Sequence, residues 1–313
     1  MALIIFPVFL SLAQIAFASD RKTALTLSHY IMAMMYDRMG EQERAVVEYQ
    51  AALHSDYENP LIHIGLAASF IKKNDIVKAV EELKLAVKFN PEAVEPHAVL
   101  ALLYTVQNKT EAANREYELA LQNASKLEPK NVEIYKTLGI VYLQQKKLAD
   151  AEKTFKLVLD LDAKDAQSHF YLANIYDQLK KKDALEFHLK KAIELKPDYS
   201  EALNYLGYLY ANENRDLDKA EKLIREALKI EPDNGAYVDS LGWWYFRKGR
   251  VDEALKEIER ASLLLEDPVI FDHLGDLYLR TGEKDKAMAN WKKSLNLDPS
   301  QAEVQRKIGI TKK

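Results

Sequence analysis

The chain of 313 residues contains no cysteine. That absence excludes disulfide staples, thiolate zinc sites, a thiol nucleophile and lipidation at an N-terminal cysteine. Glycine and proline are scarce, at 10 and 9 residues, and 48% of residues are hydrophobic and 29% charged. This composition suits a folded, helix-rich protein rather than a disordered one. No charge of one sign dominates: 44 basic residues face 48 acidic ones, for a net charge of -4. A chain so balanced carries no global attraction to nucleic acid or anionic lipid. The longest basic run, Lys180 to Lys182, reads as solvated helix surface. No glycine-rich phosphate loop, G-x-S-x-G elbow, H-E-x-x-H pair or calcium loop occurs in the sequence. Catalysis, a cofactor and a metal centre are therefore not expected.

What is present begins with an apolar leader. Residues Ala2 to Ala18 read ALIIFPVFLSLAQIAFA and end on Ala16-Phe17-Ala18, a small-x-small pattern of the kind signal peptidase accepts. Arg21 and Lys22 follow the apolar stretch and no basic residue precedes it, the reverse of the usual orientation signal. We expect a signal peptide over 1–19, and hence a periplasmic or cell-envelope location. The alternative is an uncleaved anchor through 2–18, since about 17 apolar residues is near the lower limit for a span. The membrane would then be touched only through that segment.

The rest of the chain is periodic. A small residue followed three later by an aromatic recurs as Ala33/Tyr36, Ala67/Phe70, Ala101/Tyr104, Gly139/Tyr142, Ala173/Tyr176, Gly207/Tyr210, Gly242/Tyr245 and Gly275/Tyr278. Subtraction gives successive spacings of 34, 34, 38, 34, 34, 35 and 33. At helical spacing the two residues share a face, so a partner helix approaches closely at one and is gripped by the other. A second helix in each unit carries the complementary pair, as in Tyr117/Ala120, Phe155/Val158, Leu189/Ala192 and Ile258/Ala261. Gly40, Asn74, Asn108, Gly249 and Gly282 stand where the helices must turn. All prolines but Pro7 fall near unit junctions. The long third spacing reflects a four-residue insertion near Leu121 to Pro129, enough for about one extra helical turn.

On these residues the chain resembles the tetratricopeptide-repeat family, whose period and L-G-x-x-Y, A and P slots it carries, most strongly at Leu138-Gly139, Leu206-Gly207, Leu241-Gly242 and Leu274-Gly275. The resemblance implies an all-α, right-handed solenoid of helix-turn-helix repeats near 26–59, 60–93, 94–131, 132–165, 166–199, 200–234, 235–267 and 268–301, closed by a capping helix over 302–313. It also implies that first helices line a concave groove. The groove residues would be Tyr30, Met34, Ile64, Leu102, Ile140, Phe170, Asn174, Asn204, Tyr208, Asp239, Trp243, Phe246, Asp272 and Asp276. Among them Tyr208, Trp243 and Phe246 form a candidate aromatic anchor, with Trp243 divided between groove and inter-repeat core. Asp239, Asp272 and Asp276 point to a basic or polar ligand. The family's carboxylate clamp is not expected, because Phe170, Tyr205, Ala236 and Ser240 occupy clamp slots that need Lys or Arg.

His29, His63, His97 and His169 share one slot, four residues before the small residue. Equivalent slots two helices along lie about 16–20 Å apart, too far for one zinc ion. Packing of each histidine on its own second helix is expected instead. The functional expectation is a scaffold that binds a peptide or helix of a partner protein. An accessory subunit of an envelope enzyme or of polysaccharide synthesis or export machinery is the alternative.

Overall fold

A computed structural model describes the backbone of residues 6–311 and the side chains of 21–311. The leader expected over 1–19 lies outside the described residues in its first five positions and in all its side chains. Among the described residues the secondary structure is helical throughout. The helices are α1 (Phe6–Met39), α2 (Gln42–Ser55), α3 (Pro60–Lys72), α4 (Ile76–Phe89), α5 (Val94–Val106), α6 (Thr110–Leu127), α7 (Val132–Gln144), α8 (Leu148–Leu161) and α9 (Ala166–Gln178). They continue as α10 (Lys182–Leu195), α11 (Ser200–Asn212), α12 (Leu217–Ile230), α13 (Gly235–Arg247), α14 (Val251–Leu264), α15 (Pro268–Arg280), α16 (Lys284–Leu297) and α17 (Ala302–Thr311). The chain divides into two compact units, Met1–Thr154 and Phe155–Lys313, with the division inside α8.

Within each unit, helices pair with their sequence neighbours: α1 with α2, α3 with α4 and α5 with α6 in the first, α9 with α10 through α15 with α16 in the second. This is the arrangement of an α-solenoid of helix-turn-helix repeats. The small slots explain how close the pairing is. Ala33, Ala67 and Ala101 have no exposed surface. At Gly207 even a Cβ would sit 2.7 Å from Ile224 Cγ1. Gly242 lies against Ile258 and Gly275 against the Trp291 indole in the same way. The insertion in the third repeat makes α6 18 residues long where α4 and α10 have 14, one extra turn that keeps the buried face of α6 in phase.

Each repeat turns through a left-handed residue, Gly40, Asn74, Asn108, Lys146, Lys180, Asn214, Gly249 or Gly282, with φ between 55° and 88°, and the sixth adds a second at Asp216 with φ 48°. The next backbone N–H donates to the carbonyl of the aromatic slot, as from Asp75 to Phe70 (2.9 Å), Lys181 to Tyr176 (2.8 Å) and Arg250 to Tyr245 (2.9 Å). This six-residue closure is the Schellman motif. It serves a second purpose where that next residue is cationic. Lys109, Lys147, Lys181, Arg215 and Arg250 lie 4.4 to 5.9 Å from the centroids of the slot rings Tyr104, Tyr142, Tyr176, Tyr210 and Tyr245. Helices begin as the prolines and Asx residues require: Pro60 and Pro268 open α3 and α15, and Asn59, Asn131, Asn234 and Asp267 accept from the backbone two residues on.

The histidine slot packs as expected. Nδ1 of His29, His63 and His97 meets Oε2 of Glu48, Glu82 and Glu116, each on its own second helix and each at 2.6 Å. His63 Nε2 also meets the Tyr57 carbonyl at 2.7 Å, and His97 Nε2 the Pro91 carbonyl at 3.0 Å. The ring thus ties the second helix to the loop that precedes the first. In the second unit the partner changes, and His169 Nδ1 faces His188 Nδ1 at 2.8 Å.

Candidate ligand groove

In the second unit, α11 touches α13 and α13 touches α15, so successive first helices adjoin and present one continuous side. A cavity of about 310 Å³ opens on it, lined by residues of α11 and α13, the start of α15 and the connection before it. Asn204, Tyr208 and Asp239, expected as groove residues, line this cavity together. Glu201, Tyr205, Tyr237, Ser240 and Asp267 join them. Glu201 lies one helical turn before Asn204 on the same face, so a longer reading of the helical period finds it. Asp267 sits in the connection between repeats, where no periodicity applies.

The cavity is acidic and aromatic. Glu201, Asp239 and Asp267 contribute three carboxylates, and no lysine, arginine or histidine is among the lining residues. Burial pushes the Tyr208 phenol well above its usual range, and the charges of Asp239, Asp272, Asp177 and Asp267 push the same way. Tyr205 is raised first by burial and then by its hydrogen bond to Asp177. Asn204 Oδ1 is shielded from water and has no hydrogen-bond partner.

Two expectations about the C-terminal residues are narrowed. Trp243 is only 7% exposed. Its indole stacks on His273 with centroids 3.9 Å apart and donates to Asn212 Oδ1 at 3.3 Å. It is inter-repeat core, because its ring face is covered by His273 of the next repeat and its N–H is taken by Asn212 of the preceding one. Phe246, half-buried, packs against it with ring planes tilted by 34° and centroids 4.9 Å apart, and the Tyr208 ring lies 6.1 Å from His273. The anchor therefore reduces to Tyr208 and Phe246.

The three acids are likewise not free charges. Asp239, 4% exposed, accepts from His273 Nδ1 at 2.9 and 3.0 Å. Lys307 of α17 donates to Asp272 at 2.7 Å and to Asp276 at 2.8 Å. Burial holds the Asp276 carboxyl above its usual range against the pull of Lys307. Burial of Lys307 acts to lower it, and its bonds to the two carboxylates outweigh that and raise it. No local sequence signal links a lysine on the capping helix to acids more than 30 residues earlier.

Phe170 is half-buried against Tyr199, with centroids 5.1 Å apart, and Asn174 Nδ2 donates to the Phe170 carbonyl at 3.1 Å. In the first unit, Tyr30 lines a separate cavity of about 520 Å³ with Lys22, Thr26, Asp56 and Asn59. Met34 and Leu102 are exposed, whereas Ile64 and Ile140 are half-buried and line neither cavity. Among the described residues no cluster of His, Asp or Glu could hold a metal ion, and no helix is long and apolar enough to cross a membrane.

Comparison with known proteins places this architecture. An uncharacterised protein of Haemophilus influenzae is 27% identical over 122 residues, covering 38% of this chain and 68% of that protein. The structure of the MamA protein is 26% identical with a TM-score of 0.44, covering 56% of this chain and 92% of that one. The Cut9–Hcn1 hetero-tetramer of the APC/C reaches a TM-score of 0.58 at 17% identity, covering 90% of this chain and 55% of that one, and so shares the fold. Tetratricopeptide-repeat sequence patterns match residues 107–175, 166–199, 188–222, 213–268 and 270–301. These matches leave only Val269 uncovered between 107 and 301. With the repeat period, the left-handed turns and the paired helices already described, they establish that the chain belongs to the tetratricopeptide-repeat family.

Proposed function

We propose that this protein is a non-catalytic interaction scaffold that receives a peptide or helix of a partner protein along the first helices of its second unit. One observation carries the reading: Asn204, Tyr208 and Asp239, from adjacent repeats, meet in a single cavity on the side where α11, α13 and α15 adjoin. A cavity assembled from several repeats rewards an elongated ligand that spans them. The apolar leader supports a place of action in the cell envelope.

The test is site-specific photocrosslinking in cells. A crosslinking side chain at Glu201, which is exposed at the mouth of the cavity, should trap a discrete partner. One at Lys229, exposed on α12, should not. Tyr208→Ala should abolish the adduct at position 201 while leaving helicity unchanged. Trapping equally from both positions, or an adduct indifferent to Tyr208→Ala, sinks the groove as the binding site. Fractionation of the same cells tests the envelope assignment, and recovery of the protein in the cytosol alone overturns it.

A further inference from the structure

We infer that the cavity between α11, α13 and α15 is a receptor for a cationic side chain, a lysine or arginine of the bound segment. The inference rests on the scaffold reading above and adds the chemistry of what is bound.

Four observations converge. The volume, about 310 Å³, is at the lower end for ligand pockets and suits one long side chain better than a cofactor. Its walls carry Glu201, Asp239 and Asp267, and no cation balances them from the lining itself. His273 answers Asp239 from behind. Asp267 Oδ1 accepts from the Val269 N–H, which leaves its other oxygen uncommitted. The single proton of Ser200 goes to Glu231 Oε1 at 2.6 Å rather than to Glu201 Oε2 at 3.0 Å, which leaves the exposed Glu201 carboxylate open to a ligand.

The remaining walls are the rings of Tyr205, Tyr208 and Tyr237. Tyrosine faces attract ammonium and guanidinium groups, and more so where water is displaced. Asn204 lines the same cavity and adds a polar side chain to a wall otherwise made of rings and carboxylates. An anionic ligand would meet the carboxylates of Glu201 and Asp267, and an apolar one would leave those charges unanswered. A cation with several N–H groups answers both, its stem lying along the tyrosine rings as long basic side chains do. Lys307 shows the same chemistry one repeat further on, where the chain itself places an ammonium between Asp272 and Asp276.

The experiment is selection from a random peptide library on the full chain, followed by affinity measurement against the parent and a Glu201→Gln, Asp267→Asn double variant. Both substitutions keep shape, and asparagine keeps the helix cap at position 267. Selected peptides should carry lysine or arginine at one fixed position. Replacing that residue by norleucine, or the parent by the double variant, should weaken binding about tenfold or more, as loss of a charge-assisted contact does. Raising the salt should weaken the parent complex more than the variant complex. Peptides that bind the groove with no cationic position, or with undiminished affinity for the double variant, overturn the inference and leave the scaffold reading standing. No peptide retained by either form removes the groove as a peptide site, and both readings fall together.

Discussion

The two units build the same helix pair from different contacts. In the first, alanine sets the close approach in three of the four repeats, at the wholly buried Ala33, Ala67 and Ala101, and glycine only at Gly139. In the second, beyond Ala173, glycine takes over, and Gly207, Gly242 and Gly275 lie under Ile224, Ile258 and Trp291. Removing a methyl group from one helix lets the other carry a larger side chain at the same helix separation. The polar slot differs too. Histidine meets glutamate in the first unit, at His29, His63 and His97, and meets histidine in the second, at His169. One backbone thus accepts two solutions, and the glycine solution is the less forgiving of change.

The largest expected effect follows from that intolerance. Gly275→Ala drives a Cβ into the Trp291 indole, which is wholly buried and has no room to move. It should cost about 3 kcal/mol by overpacking. The reciprocal Ala67→Gly in the first unit loses only one methyl group and helix propensity, about 1 kcal/mol. Hydrogen exchange resolved by repeat should show the first loosening α15 and α16 and the second barely changing α3 and α4. Adding Trp291→Leu to Gly275→Ala should recover much of the loss, because the smaller side chain makes space for the new methyl group. If both substitutions cost the same, the contrast between glycine and alanine slots is not energetic.

The sequence discloses the repeat register because one physical requirement, close approach beside an aromatic grip, recurs in every unit and leaves a residue pair at fixed spacing. The histidine slot is legible for the same reason: helix separation rules out a shared metal, and a partner on the second helix is within reach. Turns are legible at Gly40, Asn74 and Gly249, whose residue types tolerate positive φ. They are not legible at Lys146 and Lys180, which adopt it with no such signature. The groove is half legible. Asn204 and Tyr208 come from the family's spacing, whereas Asp267 comes from a connection, and the engagement of Asp272 and Asp276 by Lys307 depends on how α17 docks. Trp243 shows why composition alone leaves a side chain undecided, since an aromatic next to a glycine slot can turn to either face.

The histidine contrast gives the next test. Burial, and then the charge of Lys191, lowers the His169 pKa below the usual histidine value. A histidine with a depressed folded pKa favours the neutral form, so its contribution is complete above the unfolded value of about 6.5 and declines as pH falls through it. Protonating both rings would also set two cations Nδ1 to Nδ1 at 2.8 Å. Acidification from about pH 7.5 to about pH 5.5 should therefore loosen α9 and α10 more than α3 and α4, where the ring of His63 faces a carboxylate. His188→Glu installs in the second unit the pairing found at Glu48, Glu82 and Glu116. It should remove the acid sensitivity of α9 and α10, an effect of about 1–2 kcal/mol. Exchange rates corrected for their intrinsic pH dependence read this directly, and equal acid responses in the two pairs would dissolve the contrast.

The smallest effect concerns the turns, where the units differ least. Lys146 in the first and Lys180 in the second hold φ of 57° and 58°, in a region that costs an L-residue with a Cβ about 1 kcal/mol or more. Glycine occupies the same turn position at Gly40, Gly249 and Gly282 with nothing within 4 Å of where a Cβ would stand. Lys180 is exposed, so Lys180→Gly removes backbone strain without opening a cavity. It also loosens the unfolded chain, which offsets part of the gain. A net stabilisation of about 0.5–1 kcal/mol is expected. The converse change, Gly249→Lys, should cost a similar amount, because the turn at Arg250 closes through the same hydrogen bond to the aromatic slot. Thermal unfolding of the two variants beside the parent measures both signs. Shifts of equal size and opposite direction would mean that the left-handed residue is an interchangeable hinge, while a null result for Lys180→Gly would mean that the lysine stem is held in the turn by contacts that repay its strain.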